Sequence, residues 1–328
     1  MELFDRRQLL TIGGAMLLGQ RIAEAADEPA PPPAAVLPQN WRRAPSIALW
    51  PGDPPGFAGY RAQPVPAGWT APYRRNVAMP QLQVFRPRRP NGIAVLAMPG
   101  GAYWFVSVGN EGADLAPRLT SQGYTVFVLT YRLPGEGWEA RADVPLQDAQ
   151  RAMRLIRARA KEFQLDAAKV AVLGFSAGGH LAATLATQHA EVTYRAVDAV
   201  DAQNARPFAA GLIYPVVTMQ AAWTHELSRR LLLGELPSAA EVDRRSAELH
   251  VRATTPPTFL VHAMDDTAVP VENSVQLMSA MRAAGRPVEA HFLQEGGHAF
   301  GIGRPGTPSA QWISLWSAWL ERVAQAAK

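Results

Sequence analysis

Apolar runs of about six residues recur along the chain and alternate with stretches whose apolar positions follow a helical period. The runs at 81–86, 93–98, 124–131, 169–175, 209–214, 257–262 and 288–293 read as strands. Several are apolar almost throughout, such as Ala209-Ala210-Gly211-Leu212-Ile213-Tyr214. That is the pattern of strands covered on both faces of a parallel sheet. Between them, residues 145–163 place Ala149, Met153, Ile156, Ala160 and Phe163 on one face of an amphipathic helix. A last helix at about 309–326 aligns Trp312, Trp316 and Trp319, which are read as core. Strand and helix alternate from about Trp41 onward. This predicts an α/β architecture, a mostly parallel open sheet flanked by helices on both faces. Residues 216–252 break the rhythm with an Ala-, Arg- and Leu-rich segment. It is read as a small helical insertion, or partial lid, above the carboxyl ends of the strands.

The first 40 residues do not share the rhythm. Arg6-Arg7 precede a modest apolar stretch from Leu9 to Leu18, diluted by Gly13 and Gly14. Arg21 and the small-x-small triplet Ala23-Glu24-Ala25 follow. The arrangement resembles a bacterial twin-arginine signal, with Asp5 where that pattern has Ser or Thr. The apolar run is too short for a lasting membrane anchor. Residues 1–25 are therefore expected to be a signal peptide read by the twin-arginine export machinery. Its removal would leave a periplasmic or secreted protein with no stable membrane insertion. Residues 26–40 hold Pro29, Pro31, Pro32, Pro33 and Pro38 and read as a stiff linker, so the folded domain is expected at 41–328.

Composition narrows the function classes. Apolar residues make up 48% and charged residues 18%, which excludes wholesale disorder. Net charge is +4, and of 32 basic residues only Lys161, Lys169 and Lys328 are lysine. The arginines are scattered without a long basic run, so no nucleic-acid partner is expected. The absence of cysteine excludes disulfides, thiol catalysis and cysteine-held metals.

Candidate chemistry begins at Gly174-Phe175-Ser176-Ala177-Gly178-Gly179-His180, a G-x-S-x-G sequence. It follows the apolar strand Val170-Ala171-Val172-Leu173 and opens the helical run Leu181-Ala182-Ala183-Thr184-Leu185. In that context Ser176 stands at the apex of a sharp strand-to-helix turn, with its hydroxyl presented. Gly174 and Gly178 are required because side chains there would collide across the turn. The helix N-terminus also aims free amides at developing negative charge.

A serine hydroxyl needs a base, and the base needs an orienting carboxylate. Two later strands end in suitable loops. Thr258-Phe259-Leu260-Val261-His262 is followed by Ala263-Met264-Asp265-Asp266, offering either aspartate as the acid. Ala290-His291-Phe292-Leu293 is followed by Gln294-Glu295-Gly296-Gly297-His298. Among the seven histidines, His298 alone sits on a glycine-flanked loop after the last strand. His262 and His291 lie within strands and read as core. His180, in the first turn after the serine, reads as orienting neighbouring loops. His189, His225 and His250 have no supporting context, and Glu295 reads as a surface residue. Upstream, the strand Ile93–Met98 leads into Pro99-Gly100-Gly101-Ala102-Tyr103-Trp104. Glycines there let backbone amides approach a substrate oxygen.

These motifs together resemble the α/β-hydrolase superfamily. They resemble most its esterase branch of bacterial acetyl xylan esterases and bifunctional feruloyl and acetyl esterases. Further shared segments are Glu111-Gly112, Tyr131-Arg132-Leu133-Pro134, Asp148-Ala149-Gln150-Arg151-Ala152 and Gly296-Gly297-His298-Ala299-Phe300-Gly301. The resemblance implies a nucleophile at Ser176, a base at His298, and an acid at Asp266, four residues before Pro270. It implies oxyanion donors at Gly101, Ala102 and Ala177, and a structural hydrogen-bonding role for Asp148. Ala102 stands where the family has a third glycine; it keeps its N–H, which preserves the oxyanion hole on condition that the residue holds a negative φ. Tyr103 and Trp104 beside this loop, and Trp223 in the insertion, are candidates for contact with a sugar or aryl group, with core packing the favoured reading of each. The expected activity is hydrolysis of short acyl esters on carbohydrate, acetylated xylan being the model substrate, with no metal or organic cofactor. A broad short-chain lipase, esterase or peptidase-like hydrolase on the same scaffold is the alternative. A binding protein that retains the fold without turnover is the third reading.

Overall fold

The computed structural model describes residues 35–326. The twin-arginine segment at 1–25 and residues 26–34 of the proline-rich stretch lie outside the described residues. Ten strands run in chain order among those described: β1 Ser46–Ala48, β2 Tyr73–Arg74, β3 Gln81–Phe85, β4 Ala94–Met98, β5 Val106–Ser107, β6 Thr125–Thr130, β7 Val170–Phe175, β8 Ala210–Ile213, β9 Thr258–Ala263 and β10 Val288–Leu293. The helices are α1 Gln39–Arg43, α2 Leu115–Thr120, α3 Val144–Ala158, α4 Ser176–Gln188, α5 Glu226–Leu233, α6 Ala239–Arg244, α7 Glu272–Ala283 and α8 Trp312–Ala326. No helix among the described residues is long and apolar enough to cross a membrane.

Eight strands form one sheet in the order β1-β3-β6-β4-β7-β8-β9-β10. From β6 to β10 every pairing is parallel, and β1 and β3 add an antiparallel margin. β4, β6, β7, β8 and β9 are buried along their full length, as their apolar runs predict. β10 is half-buried throughout because it is the edge strand. β1 and the small β2–β5 pair were not legible, since three and two residues carry no period.

Side-chain parity shows that the helices cover both faces. A side chain at Gly174 would collide with Gly178 and Ala182 of α4, whereas one at Gly211 would strike Trp316 of α8 and Leu173. Gly174 pairs with Leu212 and Leu173 with Gly211. Cross-strand partners share a face and adjacent residues alternate, so α4 and α8 lie on opposite faces. Trp312, Trp316 and Trp319 are buried, as their spacing implies. Truncating one such tryptophan would cost about 3–5 kcal/mol.

Two boundaries differ from the sequence reading. α3 ends at Ala158 rather than running to Phe163, yet Ala160 and Phe163 remain buried. The apolar period continued through irregular turns that end in a left-handed Gln164 at φ 56°. At the other end, Leu37 is buried in the core, so the stretch read as a linker joins the fold before Trp41. Between β8 and β9 the chain makes α5, α6 and a short 3₁₀ turn, Ala247–His250. Arg245 ties this segment to the body of the fold. Its guanidinium meets Asp143 before α3 at 2.5 Å and Glu191 after α4 at 2.8 Å.

Candidate active site

Ser176 caps β7 and begins α4 with φ 50°, a left-handed conformation rare for a residue with a side chain. The turn closes only because its flanking glycines are bare. A Cβ on Gly178 would collide with the carbonyl oxygens of Met98 and Pro99, and one on Gly174 with the Gly178 carbonyl. Such strain costs about 1–3 kcal/mol and is held by the surrounding packing.

His298 comes from the loop after β10, and its Nε2 lies 2.9 Å from Ser176 Oγ. Its Nδ1 lies 2.7 Å from Asp266 Oδ2. A carboxylate can only accept, so Nδ1 carries the proton and Nε2 is free to accept the serine hydroxyl. Asp266 Oδ1 accepts the amides of Ala268 and Val269, each at 2.9 Å. Its Oδ2 also lies 3.3 Å from Nε2 of the buried His262, whose Nδ1 accepts the Ser274 hydroxyl at 2.8 Å. Burial alone would raise this carboxyl. Hydrogen bonds from His262, His298 and the Val269 amide, with the charge of His298, outweigh it and hold Asp266 well below the usual range. Asp265 is exposed and instead accepts the Gly297 amide at 2.8 Å. Of the two aspartates, Asp266 is the one that the structure brings to His298.

The loop after β4 passes on the other side of Ser176. Gly101, Ala102 and Tyr103 adopt φ values of 124°, 56° and 61°. The condition of a negative φ at Ala102 is therefore not met. The amides of Trp104 and Phe105 both turn back to the Gly101 carbonyl, at 2.8 and 3.0 Å, and this left-handed turn forces Ala102 and Tyr103 to positive φ. The family's third glycine suits that geometry, and Ala102 holds it under strain. The N–H groups of Gly101 and Ala102 have no acceptor among the described residues. Ala177, in the first turn of α4, has an N–H with no acceptor in its own helix.

Of the aromatic candidates, Tyr103 and Trp104 take the core-packing reading. Tyr103 is buried and its hydroxyl lies 2.7 Å from Nδ1 of His180, so it is a strut in the core and not a substrate surface. His180 Nε2 meets the Arg245 carbonyl at 2.7 Å and must be the donor there. Nδ1 then accepts the Tyr103 hydroxyl. Burial keeps His180 neutral, its pKa lowered to about 4. Trp104 is also buried and packs edge-on against Trp69, with the Arg75 guanidinium over its ring. The partly exposed rings beside the loop are Trp69, Tyr73 and Phe105, which sequence reasoning did not select. Trp223 is exposed, and Asn273 of α7 donates to its carbonyl at 2.7 Å. Next to it, His225 lies close enough to His298 and Asp266 to feel their charges, though burial is what chiefly lowers its pKa, to about 4. Asp148 has the expected structural role, accepting Trp50 Nε1 at 2.9 Å and pairing with the buried Arg132 at 2.8 Å.

Residues 82–281 match the profile of the BD-FAE family, which is more than half of the chain. The chain belongs to the BD-FAE family. Membership places it among α/β-hydrolase esterases, in agreement with the motifs. It is 33% identical over 227 residues to an acetylxylan esterase of Xylanibacter ruminicola, covering 68% of this chain and 44% of that protein. It is 33% identical over 208 residues to endo-1,4-beta-xylanase B of Butyrivibrio fibrisolvens, covering 63% of this chain and 32% of that protein. The chain thus spans less than half the length of these curated relatives. Among solved structures, an acetyl ester-xyloside bifunctional hydrolase from Caldicellulosiruptor lactoaceticus superposes with a TM-score of 0.71 at 32% identity. That match covers 86% of this chain and 97% of the other. As a BD-FAE member the chain shares its mostly parallel sheet and flanking helices with these α/β-hydrolases.

Proposed function

We propose that this BD-FAE member is a serine carboxylesterase that removes short acyl groups, acetyl above all, from carbohydrate such as acetylated xylan. The observation that carries the reading is the unbroken hydrogen-bonded line from Ser176 Oγ through His298 to Asp266, at 2.9 and 2.7 Å.

Ser176 Oγ attacks the ester carbonyl while His298 Nε2 takes its proton. Asp266 holds the imidazole and stabilises the imidazolium. The oxyanion is met by the N–H groups of Ala177, Gly101 and Ala102, each such donor being worth about 3–4 kcal/mol in the transition state. Collapse of the tetrahedral intermediate breaks the bond to the alcohol oxygen, which leaves with the proton from His298. Water, deprotonated by His298, then attacks the acyl-serine. The acid departs as Ser176 recovers its proton. No step calls on a metal or organic cofactor. The carbohydrate preference is supported by the relatives named for xylan chemistry. Export as a periplasmic or secreted protein is supported by Arg6-Arg7 and the sequence that follows them.

The test compares hydrolysis of p-nitrophenyl acetate, butyrate and octanoate with acetate release from acetylated xylan, for wild type and Ser176→Ala. Acetate release lost in the variant, with a steep fall along the acyl series, supports the reading. Fast octanoate cleavage without release from xylan would replace it with a lipase-like esterase.

A further inference from the structure

Glu111 is a buried carboxylate that the steps above leave unused. It sits in a π-helical turn, Gly109–Ala113, a form often found at functional sites. Oε2 accepts the Gly100 amide at 2.6 Å, one residue before the oxyanion glycine. Oε1 accepts the Tyr214 hydroxyl at 2.8 Å, and Tyr214 oxygen in turn accepts the Gly301 amide at 3.0 Å. The Tyr214 ring packs on His298 with centroids 5.0 Å apart and on Phe300 at 4.5 Å. One side chain thus joins the loop after β4 to the loop that carries the histidine. A Cβ on Gly100 would touch both Ser176 Cβ and Glu111 Oε2, so the carboxylate lies just behind the nucleophile. His298 is a cation whose charge reaches it.

We propose that Glu111 is a positioning residue that fixes the oxyanion loop and the His298 loop as one unit and supplies negative potential that favours the imidazolium of His298. The proposal rests on the serine-esterase reading for its kinetic consequence. Five other polar or charged groups approach His298 or Glu111 closely enough to matter. Asp266 is held ionised well below the working range, and His225 is held neutral down to about 4. Tyr214 and Tyr131 are buried phenols kept protonated by desolvation first, then by Glu111 at Tyr214 and by Tyr103 followed by Glu111 at Tyr131. Tyr73, partly exposed, is shifted the same way. Glu111 is itself shifted upward, chiefly by burial, against the hydrogen bonds from Gly100 and Tyr214. Both of its hydrogen bonds are donated to it, by the Gly100 amide and the Tyr214 hydroxyl, so both oxygens act as the acceptors that a carboxylate offers.

The experiment uses Glu111→Gln, which keeps the shape and an acceptor for Gly100, with Glu111→Asp as the charged control. On p-nitrophenyl acetate, Glu111→Gln is expected to lower kcat roughly tenfold with little change in KM. It should move the acid limb of kcat/KM lower by roughly half a pH unit or more, because loss of an anion disfavours protonated His298. An NMR titration of the His298 imidazole, assigned with His298→Asn, should show the same downward displacement without relying on turnover. An unmoved titration in a folded Glu111→Gln would overturn the proposal. Absence of Ser176-dependent turnover in wild type would instead remove the esterase reading, while the NMR titration still decides the charge effect.

Discussion

Two loops flank Ser176 and are built differently. The loop that follows β10 and carries His298 mostly uses glycine where the backbone turns left-handed, at Gly297, Gly301 and Gly303, with Ala299 the exception. Its anchors are polar groups on neighbouring strand ends and α8: Asp265 on the Gly297 amide, Tyr214 on the Gly301 amide and Trp312 Nε1 on the Gly301 carbonyl. The loop that follows β4 instead puts Ala102 and Tyr103 into left-handed backbone. It is held there by buried groups from elsewhere in the chain. Tyr131 donates to the Pro99 carbonyl at 2.7 Å, Glu111 accepts from Gly100, and His180 accepts from Tyr103. His298 is positioned by a loop that the sequence advertises. The Gly101 and Ala102 amides are positioned by strain that long-range contacts offset.

The largest expected effect breaks the first side of the comparison. Ser176→Ala and His298→Ala should each lower kcat on p-nitrophenyl acetate by about 10⁴-fold or more. Asp266→Asn should come next, at roughly 10³–10⁴, by letting the imidazole take the wrong tautomer. Asp265→Asn, which removes the charge of an exposed side chain but leaves an acceptor for the Gly297 amide, should stay within about tenfold in the same assay. Equal losses from the two aspartates would mean that the geometry assigns the acid wrongly.

His180→Gln sharpens the other side. It loosens the Tyr103 strut without touching the His298–Asp266 pair, so kcat should fall roughly 10–100-fold while the pH of the acid limb stays put. The same residue sets a stability slope. His180 is lowered to about 4 in the fold from an ordinary 6.5, so below 6.5 the unfolded chain takes a proton that the folded one refuses. Stability contributed by neutral His180 is therefore present above 6.5 and lost as pH falls toward 4. The loss is on the order of 3 kcal/mol, from about 1.4 kcal/mol for each pH unit of displacement. Thermal melts at stepped pH should show the fall in wild type and a shallower one in His180→Gln.

The smallest effect is a gain. Ala102→Gly relieves one left-handed alanine and should raise stability by about 1 kcal/mol, or roughly 2 °C in Tm. Gly297→Ala, at φ 62° with open space around it, should lose about as much. Opposite signs for the two would express the difference between the loops as a pair of melting temperatures.

Legibility follows the same division. The parallel strands were readable because burial on both faces leaves nearly continuous apolar runs, and Ser176 and His298 because each stands on a local motif beside a strand end. Asp265 and Asp266 were not separable from the residues alone, since both sit on the same loop and only the family pattern chose between them. Nothing local marks His180 as the partner of Tyr103, 77 residues away, or Glu111 as the partner of Tyr214, 103 residues away. Glu111 stood out in sequence only as a shared family segment. Its role depends on where the π-helical turn brings it, and that is set by packing and not by any period. The negative φ set as a condition at Ala102 is absent for a related reason. The propensity of alanine was outweighed by two amides converging on the Gly101 carbonyl.

In the proposed mechanism one serine does the chemistry. Intact-mass and peptide mapping after treatment with an organophosphate, followed in parallel with acetate release from acetylated xylan, test this. A single adduct is expected on the peptide containing Ser176, with acetate release lost in proportion to labelling. Undiminished acetate release from fully labelled protein, or from Ser176→Ala, would contradict it.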